Sequence, residues 1–90
     1  MYQVTLVCHG VPVSAGPEAA CEITKEFAEH RPWHGKIRCD WDGRRLILRV
    51  ENDFYPDGRA TLDEFGDAIS ACVANPGEFK TAIESVQKAP

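Results

Sequence analysis

The chain has 90 residues, a formal net charge of −4, and 43% hydrophobic against 27% charged residues. A chain of this length hides roughly 64% of its unfolded surface, so we expect one domain over residues 1–90 and exclude a second catalytic domain or a thick-walled, enclosed pocket. The balance of apolar and charged residues excludes a disordered tail.

No apolar run approaches the roughly 18 residues that cross a bilayer, and the N-terminus lacks the basic flank and long apolar stretch of a secretion signal; the expectation is a cytoplasmic protein. Cys8, Cys21, Cys39 and Cys72 are scattered, with neither a CxxC pair nor zinc-type spacing to a histidine, and read as buried thiols.

In chain order, Tyr2, Val4, Leu6 and Cys8 alternate with Gln3, Thr5 and Val7, the period of a half-buried strand. After the turn-forming stretch from Gly10 to Gly16, Pro17 suits a first helical position. Ala20, Ile23 and Phe27 then recur at helical spacing until Pro32, with Glu18, Glu22, Glu26 and Glu29 on the other side. Asp42-Gly43 separates two alternating runs and signals a hairpin. A pairing in which residue numbers sum to 85 sets Cys39 opposite Leu46 and Ile37 opposite Leu48 on an apolar face. On the polar face it sets Asp40 opposite Arg45, Arg38 opposite Ile47 and Lys36 opposite Arg49. Thr61 to Glu64 reads as a capping box opening a helix through Leu62, Phe65, Ile69 and Cys72, ended by Asn75-Pro76-Gly77. In the last segment, Phe79 to Val86, Phe79, Thr81 and Ile83 alternate as a strand would, while Phe79, Ile83 and Val86 also fit a helix; the strand is the expectation.

Strand, helix, strand, strand, helix, strand is the ferredoxin-like βαββαβ order, an α+β two-layer sandwich whose two helices cover one face of an antiparallel sheet. The other face is expected to be open to water, with Gln3, Thr5, Lys36, Arg38 and Arg49 on it.

Charge is uneven: residues 36 to 50 carry five basic and two acidic side chains, whereas residues 51 to 90 carry three basic and eight acidic ones. Lys36, Arg38 and Arg49 on the open face are therefore the candidate partner-binding residues, for an acidic surface or an anion. The open face offers no aromatic stacking platform, so with the negative net charge a nucleic-acid partner is not expected.

Asp53, Asp57, Gly58, Thr61 and Glu64 match positions 1, 5, 6, 9 and 12 of a calcium-binding EF-hand loop, but Tyr55 occupies the third ligand position and a strand, not a helix, precedes it. A turn followed by a helix cap explains the same residues without metal, and no metal is assigned. Cys8 and His9 point to opposite sides of a strand and cannot activate one another. His9 and Gly10 do stand at a mouth leading into the positive end of the first helix, where a small anion could be held.

The run Gly35-Lys36-Ile37-Arg38-Cys39 followed by Asp42-Gly43 resembles the hairpin of acylphosphatases. That resemblance implies the βαββαβ topology. It does not carry the activity over: the family's phosphate-cradling arginine has no counterpart between Gly10 and Gly16, and Cys39 stands where its asparagine would be.

The reading is thus a small interaction or regulatory module, leaning away from an enzyme, with no catalytic residue and no cofactor assigned. The expected partner is a protein, which could be a second copy of the chain forming a homodimer, engaged through the open face or an edge strand; a membrane is not expected. The alternative is a small enzyme or ligand-binding domain for an anionic small molecule at the mouth formed by His9, Gly10 and the first helix.

Overall fold

A computed structural model of the chain describes residues 2–53, 58–73 and 78–88. Four strands, β1 (Tyr2–His9), β2 (Gly35–Trp41), β3 (Arg45–Asn52) and β4 (Lys80–Lys88), form one antiparallel sheet in the order β2-β3-β1-β4. Two helices, α1 (Gly16–His30) and α2 (Arg59–Cys72), pack on one side of it. This is the βαββαβ arrangement expected from the element order, with strands one and three central. Among the described residues no helix is long and apolar enough to cross a membrane.

The inner side of the sheet is made by the alternation that marks each strand. Val4, Leu6 and Cys8 of β1 meet Leu46, Leu48 and Val50 of β3, all buried, beneath Ile23 and Phe27 of α1 and Phe65, Ala68 and Ile69 of α2. The period-2 and period-3.6 patterns point their apolar sets at the same volume, so burial alone explains which side of each element faces in.

The hairpin register differs from expectation by two residues. Cys39 faces Leu48, Arg38 faces Arg49, Asp40 faces Ile47 and Trp41 faces Leu46, so the paired numbers sum to 87 rather than 85. The turn is centred on Gly43 and Arg44, closed by the Asp42 amide donating to the Arg45 carbonyl at 3.2 Å. Gly43 has φ +100°, which suits the first central position of a tight hairpin turn. Asp42 precedes the two central positions, and from there its side chain reaches over the turn: Oδ1 accepts from the backbone N–H of Arg44 at 2.9 Å and of Arg45 at 2.8 Å. A shift of two leaves every side chain on its expected face, and burial cannot detect it.

Further along, β2 carries a bulge between Gly35 and Arg38, with Lys36 at φ +49°. The outer edge of β2 is taken by α1. Thr24 Oγ1 accepts from the Cys39 N–H at 3.0 Å, a backbone group that the ladder to β3 leaves free.

Helix α2 starts two residues before the expected capping box. Gly58, at φ +74°, is its N-terminal cap residue, and the first helical bond runs from the Leu62 N–H to the Gly58 carbonyl at 3.0 Å. A side chain at Gly58 would meet Val86 and Val4 at 3.1 and 3.3 Å, so the glycine lets the chain enter the helix close against the sheet. Thr61 is inside the first turn and Glu64 turns toward His34 and Arg31 instead of back to the cap. The expected stop at Asn75-Pro76-Gly77 lies outside the described residues.

Gly16 opens α1 under the indole of Trp41, where a Cβ would lie 2.2 Å from the ring. We therefore expect Gly16→Ala to destabilise the fold by ~1–3 kcal/mol, seen as an earlier urea midpoint. In a Trp41→Leu background the cost of Gly16→Ala should fall, and an equal cost in both backgrounds would exclude this contact as its cause.

Candidate functional site

The outer side of the sheet holds the candidate residues. Gln3 and Thr5 of β1, Arg49 and Glu51 of β3, Lys36 and Arg38 of β2, and Glu84, Ser85 and Gln87 of β4 line one concavity of about 510 Å³ that crosses all four strands. Sheet twist and the two bulges, one in β2 and one where β4 shifts register opposite Thr5 and Leu6, give the face this hollow. The three cations expected to share a surface, Lys36, Arg38 and Arg49, do so.

They are not a bare basic patch. Lys36 Nζ lies 3.4 Å from Glu51 Oε1. Arg38 Nε lies 2.9 Å from Asp40 Oδ2, which Arg49 Nη1 also approaches at 3.5 Å. The expectation that Asp40 offsets Arg45 is corrected by the register: Arg45 pairs with Asp42 at 3.0 Å and with Glu84 at 3.5 Å, while Asp40 stands between two arginines that face one another across the hairpin. Like charges directly opposite on neighbouring strands repel, and the carboxylate placed between them removes that cost. The Gln3 amide, donating to Glu51 at 3.1 Å, and then the Lys36 ammonium hold the Glu51 carboxyl below its ordinary range.

At the other end of the face Val7 and Ile47 are paired across β1 and β3 and are only 5% and 8% exposed, although they lie on the side away from the helices. Sequence reading placed Ile47 outside without anticipating its burial. The face is therefore a mixture: apolar at one end, and hollow with charges of both signs at the other.

The mouth at the start of α1 is filled. A Cβ on Gly10 would meet the Glu78 carbonyl oxygen at 2.5 Å, and the Trp41 indole covers Gly16. The residues between fold into a short 3₁₀ turn, Val13–Ala15, so the loop does not make a glycine-lined cradle. His9 is exposed at the end of β1, between Arg45 and Lys80 on the flanking strands.

Of the candidate calcium ligands, Thr61 and Glu64 belong to α2 and are engaged with Asn52, Arg31 and His34, and Asp57 lies outside the described residues. Among the described residues no group of three or more His, Cys, Asp or Glu side chains is placed to hold a metal.

The thiols divide in two. Burial pushes Cys8 up to about 11, and burial, with the Asp40 charge behind it, pushes Cys39 up to about 12. Cys21 is exposed and Cys72 is half-buried, which corrects the expectation that all four cysteines are buried.

The cluster that sequence reading missed lies behind the face. His34, Asn52, Thr61, Glu64, Arg31 and Glu26 form a continuous polar network on the helix side of the sheet. Its members are spread along the chain from α1 to α2, and no local spacing announces it.

No protein-family model and no curated protein matches this chain. Among solved structures it is similar to a candidate antibiotic biosynthesis monooxygenase from Nitrosomonas europaea, with a TM-score of 0.50, 20% identity, and coverage of 94% of this chain and 97% of that one. The fold is ferredoxin-like. At this identity the likeness concerns the path of the backbone and extends over nearly the whole of both chains.

Two solution measurements follow from these geometries. The Asp42 carboxyl is held at about 2, first by the Arg44 and Arg45 amides and then by the Arg45 side chain. Because its folded value is depressed, its stabilising contribution is complete above about pH 4 and is lost as pH falls through about 2. The Arg44 and Arg45 amide resonances should titrate near that lower pH, whereas a midpoint near 4 would show the turn bonds to be absent. With a thiol reagent at pH 8, Cys21 should be modified first and Cys8 and Cys39 only after addition of denaturant. Mass spectrometry of the native protein showing Cys39 labelled alongside Cys21 would contradict the packing.

Proposed function

We propose that this ferredoxin-like domain is an interaction module that works through its open sheet face, and that the surface it receives is a second copy of the same chain. The observation that carries the reading is the hollow that holds Lys36, Arg38 and Arg49 together with Glu51 and Glu84. A wholly acidic partner would have to displace Asp40 and Glu51 from cations they already neutralise. A partner with both signs, suitably placed, would not.

The same face supplies such a surface. Its β2 side carries Lys36 and Arg38, and its β4 side carries Glu84 beside Ser85 and Gln87. A two-fold axis running along the strands between two stacked sheets sets the β2 side of one copy over the β4 side of the other. Two identical basic faces would repel, but here most of the cations are compensated within each copy. The edge of β2 is the poorer docking place, because Thr24 already occupies a backbone group there.

The test is the oligomeric state as a function of concentration. The native chain should sediment as a dimer at micromolar concentration and dissociate more readily in high salt. Arg38→Glu combined with Arg49→Glu should leave the circular dichroism spectrum intact and weaken the dimer by at least about tenfold. A native chain that is monomeric up to about 100 μM, well above the dissociation constants of stable complexes, would overturn the proposal.

A further inference from the structure

One row of the outer face crosses the hollow from edge to edge. Arg38 of β2 faces Arg49 of β3, Arg49 faces Thr5 of β1, and Thr5 faces Ser85 of β4. Two guanidiniums and two hydroxyls, all hydrogen-bond donors, thus stand side by side in a concavity of about 510 Å³.

The cations of this row outnumber their carboxylates. Arg38 and Arg49 share Asp40, which Arg38 holds at 2.9 Å and Arg49 only at 3.5 Å. Lys36 and Glu51 offset one another, so the surplus positive charge is left at Arg49, whose side chain is half exposed. The hydroxyls of Thr5 and Ser85 are bonded to no other described residue. A concave site with a few convergent, unengaged polar groups is the usual form of a small-molecule site.

At the β4 end the balance is reversed. Arg45 is shared by two carboxylates, Asp42 at 3.0 Å and Glu84 at 3.5 Å. Glu84 lines the hollow, which is therefore positive toward β3 and negative toward β4. A carboxylate suits the positive end: its two oxygens match the planar fork of an arginine, and its single charge equals the surplus. A phosphate monoester carries up to twice that charge and brings the excess against Glu51 and Glu84. A bare carboxylate would leave most of the hollow empty. Hydroxyl groups on the rest of the molecule find acceptors and donors in Glu84, Ser85 and Thr5.

We infer that the hollow is a binding site for a small hydroxylated monocarboxylate, held by its carboxylate at Arg49 and by its hydroxyl groups at Thr5, Ser85 and Glu84. The site lies within one copy and does not rest on pairing of the chain. In the stacked pair proposed above, a two-fold axis along the strands leaves each residue at its own height. The two hollows then lie over one another and enclose the molecule instead of displacing it.

The probe is gluconate, added to the isotope-labelled native chain at neutral pH and followed by NMR, with sedimentation of the same samples recording whether a second copy is present. The Thr5, Arg49 and Ser85 amides and the Arg49 Nε–H should shift saturably, half complete at roughly 1–10 mM, the weak range an open hollow permits. A chain that sediments as a monomer and binds gluconate fails the pairing proposal and supports this one. Arg49→Gln should weaken binding at least about tenfold with amide dispersion retained. Asp40→Asn, which frees both guanidiniums, should tighten it severalfold, and Arg44→Gln at the hairpin tip should bind as the native chain does. Sorbitol, the same chain of hydroxyls without the charge, should leave the spectrum unchanged. The inference is overturned by the absence of saturable shifts up to about 50 mM, by equal shifts with sorbitol, or by inorganic phosphate binding more tightly than gluconate. An Asp40→Asn chain that binds no better than the native one would equally overturn it.

Discussion

The Asp42 carboxylate, accepting two backbone N–H groups at the head of the hairpin, decides which residues of β2 and β3 stand opposite each other. The composition of the outer face follows from that alignment. It sets Arg38 against Arg49 and brings Asp40 between them; it also leaves Arg45 to Asp42 and Glu84. Had the strands paired two residues earlier, Asp40 would face Arg45 and Lys36 would face Arg49, with a different set of neutralised cations on the same face. The hydrophobic layer is indifferent between the two alignments, because both bury Cys39, Leu46 and Leu48. A few hydrogen bonds at an exposed turn thus determine the electrostatics of a surface that the core cannot specify.

That division explains what could be read from the amino acids alone. Element order, the facing of each strand, and the grouping of Lys36, Arg38 and Arg49 were legible because they depend on period, and period is visible in a single segment. Register was not, since parity survives a shift of two. The capping box at Thr61 and Glu64 misled for a related reason. Its pattern is local, but both side chains found partners distant in the chain, Asn52 nine residues away and His34 thirty away. A buried histidine and a strand-ending asparagine look like ordinary loop polarity until the fold sets them side by side.

The two sides of the sheet have different chemical character yet meet at the same backbone. On the helix side the polar network is closed and water has little access; on the other side the ion pairs are exposed and each is of small energetic weight. The two meet only through the backbone of β2 and β3, where His34 and Asn52 stand beside the segments that carry Lys36 and Glu51. The likeness of backbone to a candidate monooxygenase carries none of this detail, because the residues concerned belong to this sequence and not to the fold.

The hold of Thr24 on the rim of β2 has a consequence for growth beyond two molecules. A sheet extends into a filament only if it can be joined at both rims, each copy receiving a neighbour on one side and offering itself on the other. Here one rim is occupied by the chain's own helix and interrupted by a bulge, so sideways joining of identical copies is left with β4 against β4. Such a union is two-fold and closes on itself, so joining through the sheet rims alone stops at two copies.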